Sequence, residues 1–152
     1  MTSAALAYDM PDTMTVASDL LGHLTVEPST VIRFPTGLLG FPEARSFVLL
    51  PSEREHIYWL QSIDYASLAF LMVDPFVFFD GYTVDLAATD LGNQTAAPED
   101  LTVLAMVTLP PKRDLSPTAN LQGPIIINHR QGYANQAILS DGKYGIREAF
   151  SL

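Results

Sequence analysis

Prolines at short intervals are the feature that most constrains the fold of this 152-residue chain. An interior proline costs a helix about 3 kcal/mol, because its ring removes a backbone N–H and clashes with the preceding turn. In the first half of the chain they interrupt almost every apolar run, at Pro28, Pro35, Pro42, Pro51 and Pro75. Long helices are therefore excluded over this part, and short extended elements remain.

The apolar runs between these breaks are rich in Val, Ile, Phe, Tyr, Leu and Thr, which favour strands. Turn dipeptides at Asp80-Gly81 and Asp141-Gly142 separate some of them. The pattern predicts an all-β fold, a small antiparallel β-barrel-like domain of about nine or ten strands with one or two short helices. The predicted strands are His23–Glu27, Thr30–Phe34, Ser46–Pro51, Ile57–Ser62, Leu68–Asp74, Tyr82–Leu86, Leu101–Leu109, Gly123–His129 and Tyr133–Leu139.

Three further segments complete the prediction of secondary structure. Asp85–Gly92 is the one region with a helical pattern, and one turn is expected at Ala97–Leu101 with Pro98 at a first helical position. Lys143–Phe150 is expected to be extended or a short helix. The run from Val103 to Val107 is apolar at every position, which predicts a central strand covered on both faces.

The length fits one domain. Residues 1–21 lack a clear hydrophobic period and are predicted to form a flexible N-terminal leader, followed by a single β domain over residues 22–152. No signal-peptide pattern opens the chain, and no uncharged run approaches the roughly 18 residues of a membrane helix. The expectation is a cytoplasmic protein without a membrane partner.

The charge distribution bears on the partners. The net charge is −9, and no Lys or Arg occurs from Glu55 to Pro111. A face built from that segment repels phosphate backbones and attracts basic proteins, so direct nucleic-acid binding is not expected. The alternative is that these carboxylates only keep the protein soluble.

Residues for catalysis are few, and the sequence predicts no catalytic residue, metal or cofactor. Cysteine is absent, which excludes thiolate chemistry. His23, His56 and His129 are far apart without a second ligand at metal spacing. A small-ligand-binding β-barrel or a carboxylate-dependent hydrolase remains the alternative to a protein-binding module, and it requires a concave pocket with converging polar groups.

The segment Leu68 to Tyr82 is unusually aromatic. If it continued as a strand, Phe76 and Phe78 would point one way while Val77 and Phe79 pointed the other. One of these faces would then be an exposed apolar patch, typical of protein-binding sites, unless both faces are buried. The predicted partner-binding residues here are Asp74, Phe76, Phe79, Asp80, Tyr82 and Asp85, with the carboxylates steering the partner and the rings anchoring it.

A second candidate surface is the loop Thr36–Pro42, where Gly37 and Gly40 permit a tight turn. Such a turn could present Leu39 and Phe41 to a partner. The alternative is a loop that folds over one end of the barrel as a plug.

Three collinear blocks make the chain similar to a known family. They are Phe34-Pro-Thr-Gly-Leu-Leu-Gly-Phe-Pro42 with Phe47-Val-Leu-Leu50 and Trp59-Leu-Gln-Ser62, then Leu68-Ala-Phe-Leu-Met-Val-Asp-Pro-Phe-Val-Phe-Phe79, then Thr118-Ala-Asn-Leu-Gln-Gly-Pro-Ile-Ile-Ile-Asn128 with Gln136-Ala-Ile-Leu139. Over roughly Gly22 to Phe150 the chain resembles the flagellar assembly factor FliW family. It departs from the family in its longer leader and in the weakly charged stretch Ala87–Glu99.

The resemblance implies a barrel-like fold, no enzymatic activity and no cofactor. It implies two competing partners, flagellin and the RNA-binding translational regulator CsrA. In the family, the factor is held by flagellin that accumulates in the cytoplasm. Once flagellin is secreted, the freed factor binds CsrA away from its RNA-binding surface, so that flagellin mRNA is translated.

Overall fold

The computed structural model describes residues 13–86 and 97–152, and the strands predominate there, as predicted. The strands are β1 (Met14–Ser18), β2 (Gly22–Val26), β3 (Val31–Arg33), β4 (Ser46–Pro51), β5 (Ile57–Ser62), β6 (Ala69–Val73), β7 (Leu101–Thr108), β8 (Thr118–Ala119), β9 (Ile125–Asn128), β10 (Tyr133–Gln136) and β11 (Glu148–Ala149). One short helix, α1, spans Pro75–Phe78, and 3₁₀ turns span Pro28–Thr30 and Pro98–Asp100. None of the helices described here is long and apolar enough to span a bilayer.

Seven strands close into a barrel in the order β7-β6-β5-β4-β3-β10-β9, with β9 pairing back onto β7. The pairings are antiparallel except that of β3 with β10, which is parallel and rests on the register pair Arg33–Tyr133. β8 and β11 extend the sheet beyond β7, while β1 and β2 form a separate hairpin. The predicted antiparallel barrel-like fold is confirmed, with this one parallel contact as the exception.

The interior of the barrel is filled by side chains from alternate strand positions. Phe34 and Phe47 are fully buried and meet edge to face with ring centroids 5.2 Å apart. Leu38 comes from the loop after β3, is only 2% exposed and belongs to the same cluster. The other buried members are Ile32, Ala44, Leu60, Met72, Leu104, Ile125, Ile127 and Ala134.

β7 buries both of its faces, which confirms the prediction from its continuous apolar run. Leu104 points into the barrel, whereas Val103, Ala105 and Val107 lie in clusters on the outside of the wall. The outer clusters are covered by the segment after β6 and by the carboxyl-terminal segment, which contribute Tyr82 and Phe150. The barrel therefore carries a second apolar layer over part of its outer wall.

Several predicted elements differ from the observed ones. The predicted strand Tyr82–Leu86 is wrong: these residues form no strand, because the chain turns at Gly81 with a positive φ of 77° and inserts Tyr82 into the outer layer. The segment predicted as a leader includes the strand β1, in which Val16 and Ser18 are buried. The helix predicted over Asp85–Gly92 lies, beyond its first two residues, outside the described part of the chain.

Gln61 is a buried polar residue that organises the turn between β5 and β6. It alternates with the inward-facing Leu60 and so faces the outside of the wall, yet it is fully buried. Its Nε2 donates to the carbonyl oxygens of Ser62 at 3.0 Å, Ala66 at 3.3 Å and Leu68 at 3.3 Å. The Ala66 carbonyl also accepts a hydrogen bond from Asp19 N at 2.9 Å, so the same turn anchors the β1–β2 hairpin.

We expect Gln61→Met to destabilise the protein by about 1 kcal/mol, because methionine keeps the length of the side chain but removes the amide hydrogen bonds to this turn. Urea denaturation monitored by far-UV circular dichroism measures this loss. Amide exchange at Asp19 should also accelerate, since its acceptor is no longer held in place. A methionine variant as stable as the wild type would show that the turn does not depend on this amide.

Candidate partner-binding surface

The aromatic segment after β6 is a helical turn and not a continuing strand. Asp74 caps α1, accepting a hydrogen bond from Phe76 N on Oδ1 at 3.0 Å, and Pro75 occupies the first helical position. Both are preferred residues at these positions, because the carboxylate satisfies an orphan N–H and proline has none to satisfy. The helical turn changes which side chains share a face.

Phe76 and Val77 are the exposed residues of α1, at 48% and 47% exposure. Phe78 and Phe79 instead pack against Phe150, with ring centroids 5.6 and 5.2 Å away. The expected strand alternation, with Phe76 and Phe78 on one face, is therefore wrong. Phe76 remains available to a partner, whereas Phe79 is half-buried and mainly supports the surface from below.

Tyr82 cannot anchor a partner as predicted, because it is only 4% exposed. Its hydroxyl donates a hydrogen bond to the Leu121 carbonyl at 2.8 Å, and its ring lies 5.5 Å from Phe76. Burial raises the pKa of Tyr82 above its ordinary value, and nearby Tyr144 and Asp141 raise the pKa further. Tyr82 is thus part of the support beneath the surface.

The predicted carboxylates differ in how accessible they are. Asp80 and Asp85 are exposed, while Asp74 is half-buried and occupied as the cap of α1. Asp141 adds an exposed carboxylate near Tyr82. We call Phe76, Val77, Asp80, Asp85 and Asp141 the acidic aromatic face.

Sequence reasoning missed Tyr144, which joins this face to the carboxyl-terminal segment. Its hydroxyl accepts a hydrogen bond from Thr83 N at 3.1 Å and donates one to the Gly81 carbonyl at 3.3 Å. Its ring meets that of Tyr82 edge to face at 4.6 Å. No local pattern marks this contact, because the bonded residues are 61 and 63 positions apart.

The loop Thr36–Pro42 carries one buried and two exposed apolar side chains. Leu38 is buried in the inner cluster, while Leu39 and Phe41 are 64% and 43% exposed. The tip is held by a hydrogen bond from Phe41 N to the Leu38 carbonyl at 2.8 Å. Gly37 has a φ of 71°, and a Cβ there would lie 2.5 Å from the Pro42 carbonyl oxygen, so the loop shape requires glycine. The exposed side chains therefore sit on a well-defined turn.

A further apolar recess lies on the outer wall, with a volume of about 490 Å³. Trp59 and Leu71 form its floor as a directly paired couple on β5 and β6. Leu21 and Leu109 also line it. Sequence reasoning missed this groove because its lining comes from elements distant along the chain.

Within residues 13–86 and 97–152, no three His, Asp or Glu side chains come together in a group that could hold a metal ion. The barrel interior there is lined by apolar side chains. What the described surface offers is exposed apolar side chains beside carboxylates, an arrangement suited to protein binding.

Comparison with known proteins finds one family. A family model described as FliW protein matches residues 15–150. The flagellar assembly factor FliW of Treponema denticola is 39% identical over 136 residues, covering 88% of this chain and 91% of the relative. That of Moorella thermoacetica is 41% identical over 137 residues, covering 88% and 86%.

A solved structure gives the same result for the fold. It is described as the crystal structure of the flagellar assembly factor FliW and superposes with a TM-score of 0.80 at 30% sequence identity. The match covers 90% of this chain and 96% of the solved chain.

Tyr82→Phe should lower the free energy of unfolding by about 1 kcal/mol at pH 8, through loss of the hydrogen bond to Leu121. In the wild type, the raised pKa of Tyr82 contributes stability that is present below pH 10, the ordinary tyrosine value, and is lost as the pH rises above it. The difference in the free energy of unfolding between the wild type and Tyr82→Phe should therefore become smaller from pH 8 to pH 11. Urea midpoints at both pH values test this, and parallel pH profiles would contradict it.

Proposed function

This chain belongs to the FliW family of flagellar assembly factors, and we propose that it works without catalysis by binding flagellin and the translational regulator CsrA. The observation that carries the proposal is that apolar side chains fill the inside of the barrel while others are exposed on its outer surface. The barrel interior is filled by residues such as Phe34 and Phe47, which are fully buried. Phe76, Val77, Leu39 and Phe41 remain exposed on the outside, where they are accessible to a partner protein.

The proposed regulation follows from mass action between two partners in the cytoplasm. While flagellin accumulates, it occupies the factor. When flagellin is secreted, the freed factor binds CsrA and stops it from repressing flagellin translation, acting away from the RNA-binding surface. The fraction of the factor held by flagellin depends only on the free flagellin concentration relative to its dissociation constant. The switch between the two partners therefore needs no energy input.

We assign the CsrA contact to the acidic aromatic face. Asp80, Asp85 and Asp141 are exposed there, and their charges steer a basic RNA-binding protein toward the exposed ring of Phe76. Carboxylates set the encounter rate, whereas a desolvated ring slows dissociation. The loop Thr36–Pro42 is the second candidate contact, through Leu39 and Phe41.

The alternative of a small-ligand-binding barrel or a hydrolase has no specific support. It requires an open chamber with converging polar groups. The inward positions of the described strands carry leucine, isoleucine, phenylalanine and methionine instead. Space for a substrate in the barrel is taken by the protein's own side chains.

We expect the purified protein to bind CsrA by isothermal titration calorimetry, and flagellin to compete. If flagellin is present at ten times its own dissociation constant, strict competition weakens the apparent CsrA affinity about 11-fold. Failure of the protein to bind either partner would overturn the proposed function. A stable ternary complex with unchanged CsrA affinity would overturn the competition while leaving the binding in place.

Asp80→Lys combined with Asp85→Lys should slow association with CsrA about tenfold at low ionic strength, because it reverses the steering charges. The difference should shrink as salt is added. Glu27→Lys with Asp114→Lys is the matched control: both carboxylates are exposed, lie on other segments, and change the net charge equally. Biolayer interferometry measures the rates, and equal slowing in both double variants would remove these carboxylates from the binding face.

A further inference from the structure

The turn that carries Asp80 is held to the body of the protein through two stacked tyrosines. Tyr82 reaches inward, and its hydroxyl donates to the Leu121 carbonyl at 2.8 Å. Tyr144 packs edge to face on the Tyr82 ring at 4.6 Å, on the side of the solvent. Phe76 contacts Tyr82 at 5.5 Å. An unbroken series of contacts therefore runs from Tyr144 through Tyr82 to the exposed ring.

The Tyr144 hydroxyl is used in both of its hydrogen-bonding roles. It accepts from Thr83 N at 3.1 Å and donates to the Gly81 carbonyl at 3.3 Å. These two bonds bracket Tyr82 and tie the turn on both sides. Gly81 itself has a φ of 77° and nothing within 4 Å of where a Cβ would lie. The centre of the turn is held by Tyr82, whose ring is buried and whose N–H donates to the Phe79 carbonyl at 3.3 Å. The Tyr144 hydroxyl restrains the residues on either side of it.

We propose that Tyr144 is a positioning residue for the acidic aromatic face: its hydroxyl fixes the Gly81–Thr83 turn and so sets the relative placement of Phe76 and Asp80 for partner binding. The inference rests on the proposed function, because it assigns a role within that face. Tyr144 is expected to act through the turn, without itself supplying the anchoring contact.

The exposed position of the Tyr144 hydroxyl makes it possible to distinguish positioning of the turn from a contribution to the stability of the whole fold. Both of its hydrogen bonds are exposed to solvent, so their loss leaves no buried polar group unpaired and acts on the local equilibrium of the turn more than on global stability. The Tyr144 ring, in contrast, packs against the buried outer layer. Removing only the hydroxyl should therefore loosen the turn, while the outer layer keeps its packing.

A loosened turn lowers the fraction of molecules that present the face correctly. When only a fraction is competent, the apparent affinity falls in proportion to that fraction. If the partner binds only the competent form, and the turn exchanges rapidly, the loss appears in the association rate constant, while the dissociation rate constant stays unchanged. A purely structural role at a temperature where every variant is folded would change neither constant.

The test compares Tyr144→Phe with the wild type in binding to CsrA by biolayer interferometry at 20 °C. We expect the association rate constant to fall about three- to tenfold with an unchanged dissociation rate constant, and amide exchange at Thr83 to accelerate. Circular dichroism establishes that both proteins are fully folded. Thr30→Val is the matched control, because Thr30 is exposed on another turn and its hydroxyl donates to the Glu27 carbonyl at 2.6 Å.

The outcomes separate this inference from the proposed function. A wild type that binds neither CsrA nor flagellin overturns the proposed function and the inference with it. A wild type that binds CsrA, with a Tyr144→Phe variant that associates equally fast, overturns the inference alone. A variant that loses affinity only through faster dissociation would also overturn it, since the hydroxyl would then be acting as a direct contact.

Discussion

The structure depends on one constraint: the strands on one side of the barrel are apolar on both faces. On β6, Met72 lies in the inner cluster and Val73 in the outer one, and β7 repeats the pattern with Leu104 and Ala105. Burying an apolar side chain is worth roughly 1.5–3 kcal/mol, so a bare outer wall would forgo much of the stability of a small domain. The rest of the chain must therefore form a second layer over this wall.

That second layer explains why the candidate face is made of loops. The segment after β6 covers the wall with Phe78, Phe79 and Tyr82, and the carboxyl-terminal segment contributes Phe150 and Tyr144. In each segment the residues that face the wall hold the backbone in place, and the residues between them are left pointing outward. Phe76 and Asp80 belong to this second group. The face is thus a consequence of how the wall is covered.

The sequence predicted the barrel strands well because their signal is local. β4 and β5 begin and end at the predicted residues, since proline and polar turns bound their apolar runs. The helical turn α1 also has a local signal, an N-cap aspartate followed by proline at Asp74-Pro75, but the apolar alternation of the same segment favours a strand. The Tyr144 contact had no such signal, since it joins segments brought together only by the closed barrel.

The burial of Tyr82 could not be inferred from the sequence for a related reason. A tyrosine after an Asp-Gly turn is equally compatible with a surface position and with insertion into a second layer. The choice depends on whether a buried acceptor is within reach of the hydroxyl. Here the Leu121 carbonyl supplies it from a segment 39 residues away. Local sequence patterns locate the strands, whereas tertiary contacts decide which side chains of the loops are exposed.

The net charge of −9 has a physical role beside the exposed rings. A protein that leaves Phe76, Leu39 and Phe41 exposed risks association with its own copies through those apolar side chains. Two copies repel each other when both carry the same large charge, so acidity opposes that self-association. The same field attracts a basic partner. A surface with exposed apolar side chains and exposed carboxylates therefore remains accessible in solution until a protein of opposite charge covers it, as the proposed binding of CsrA requires.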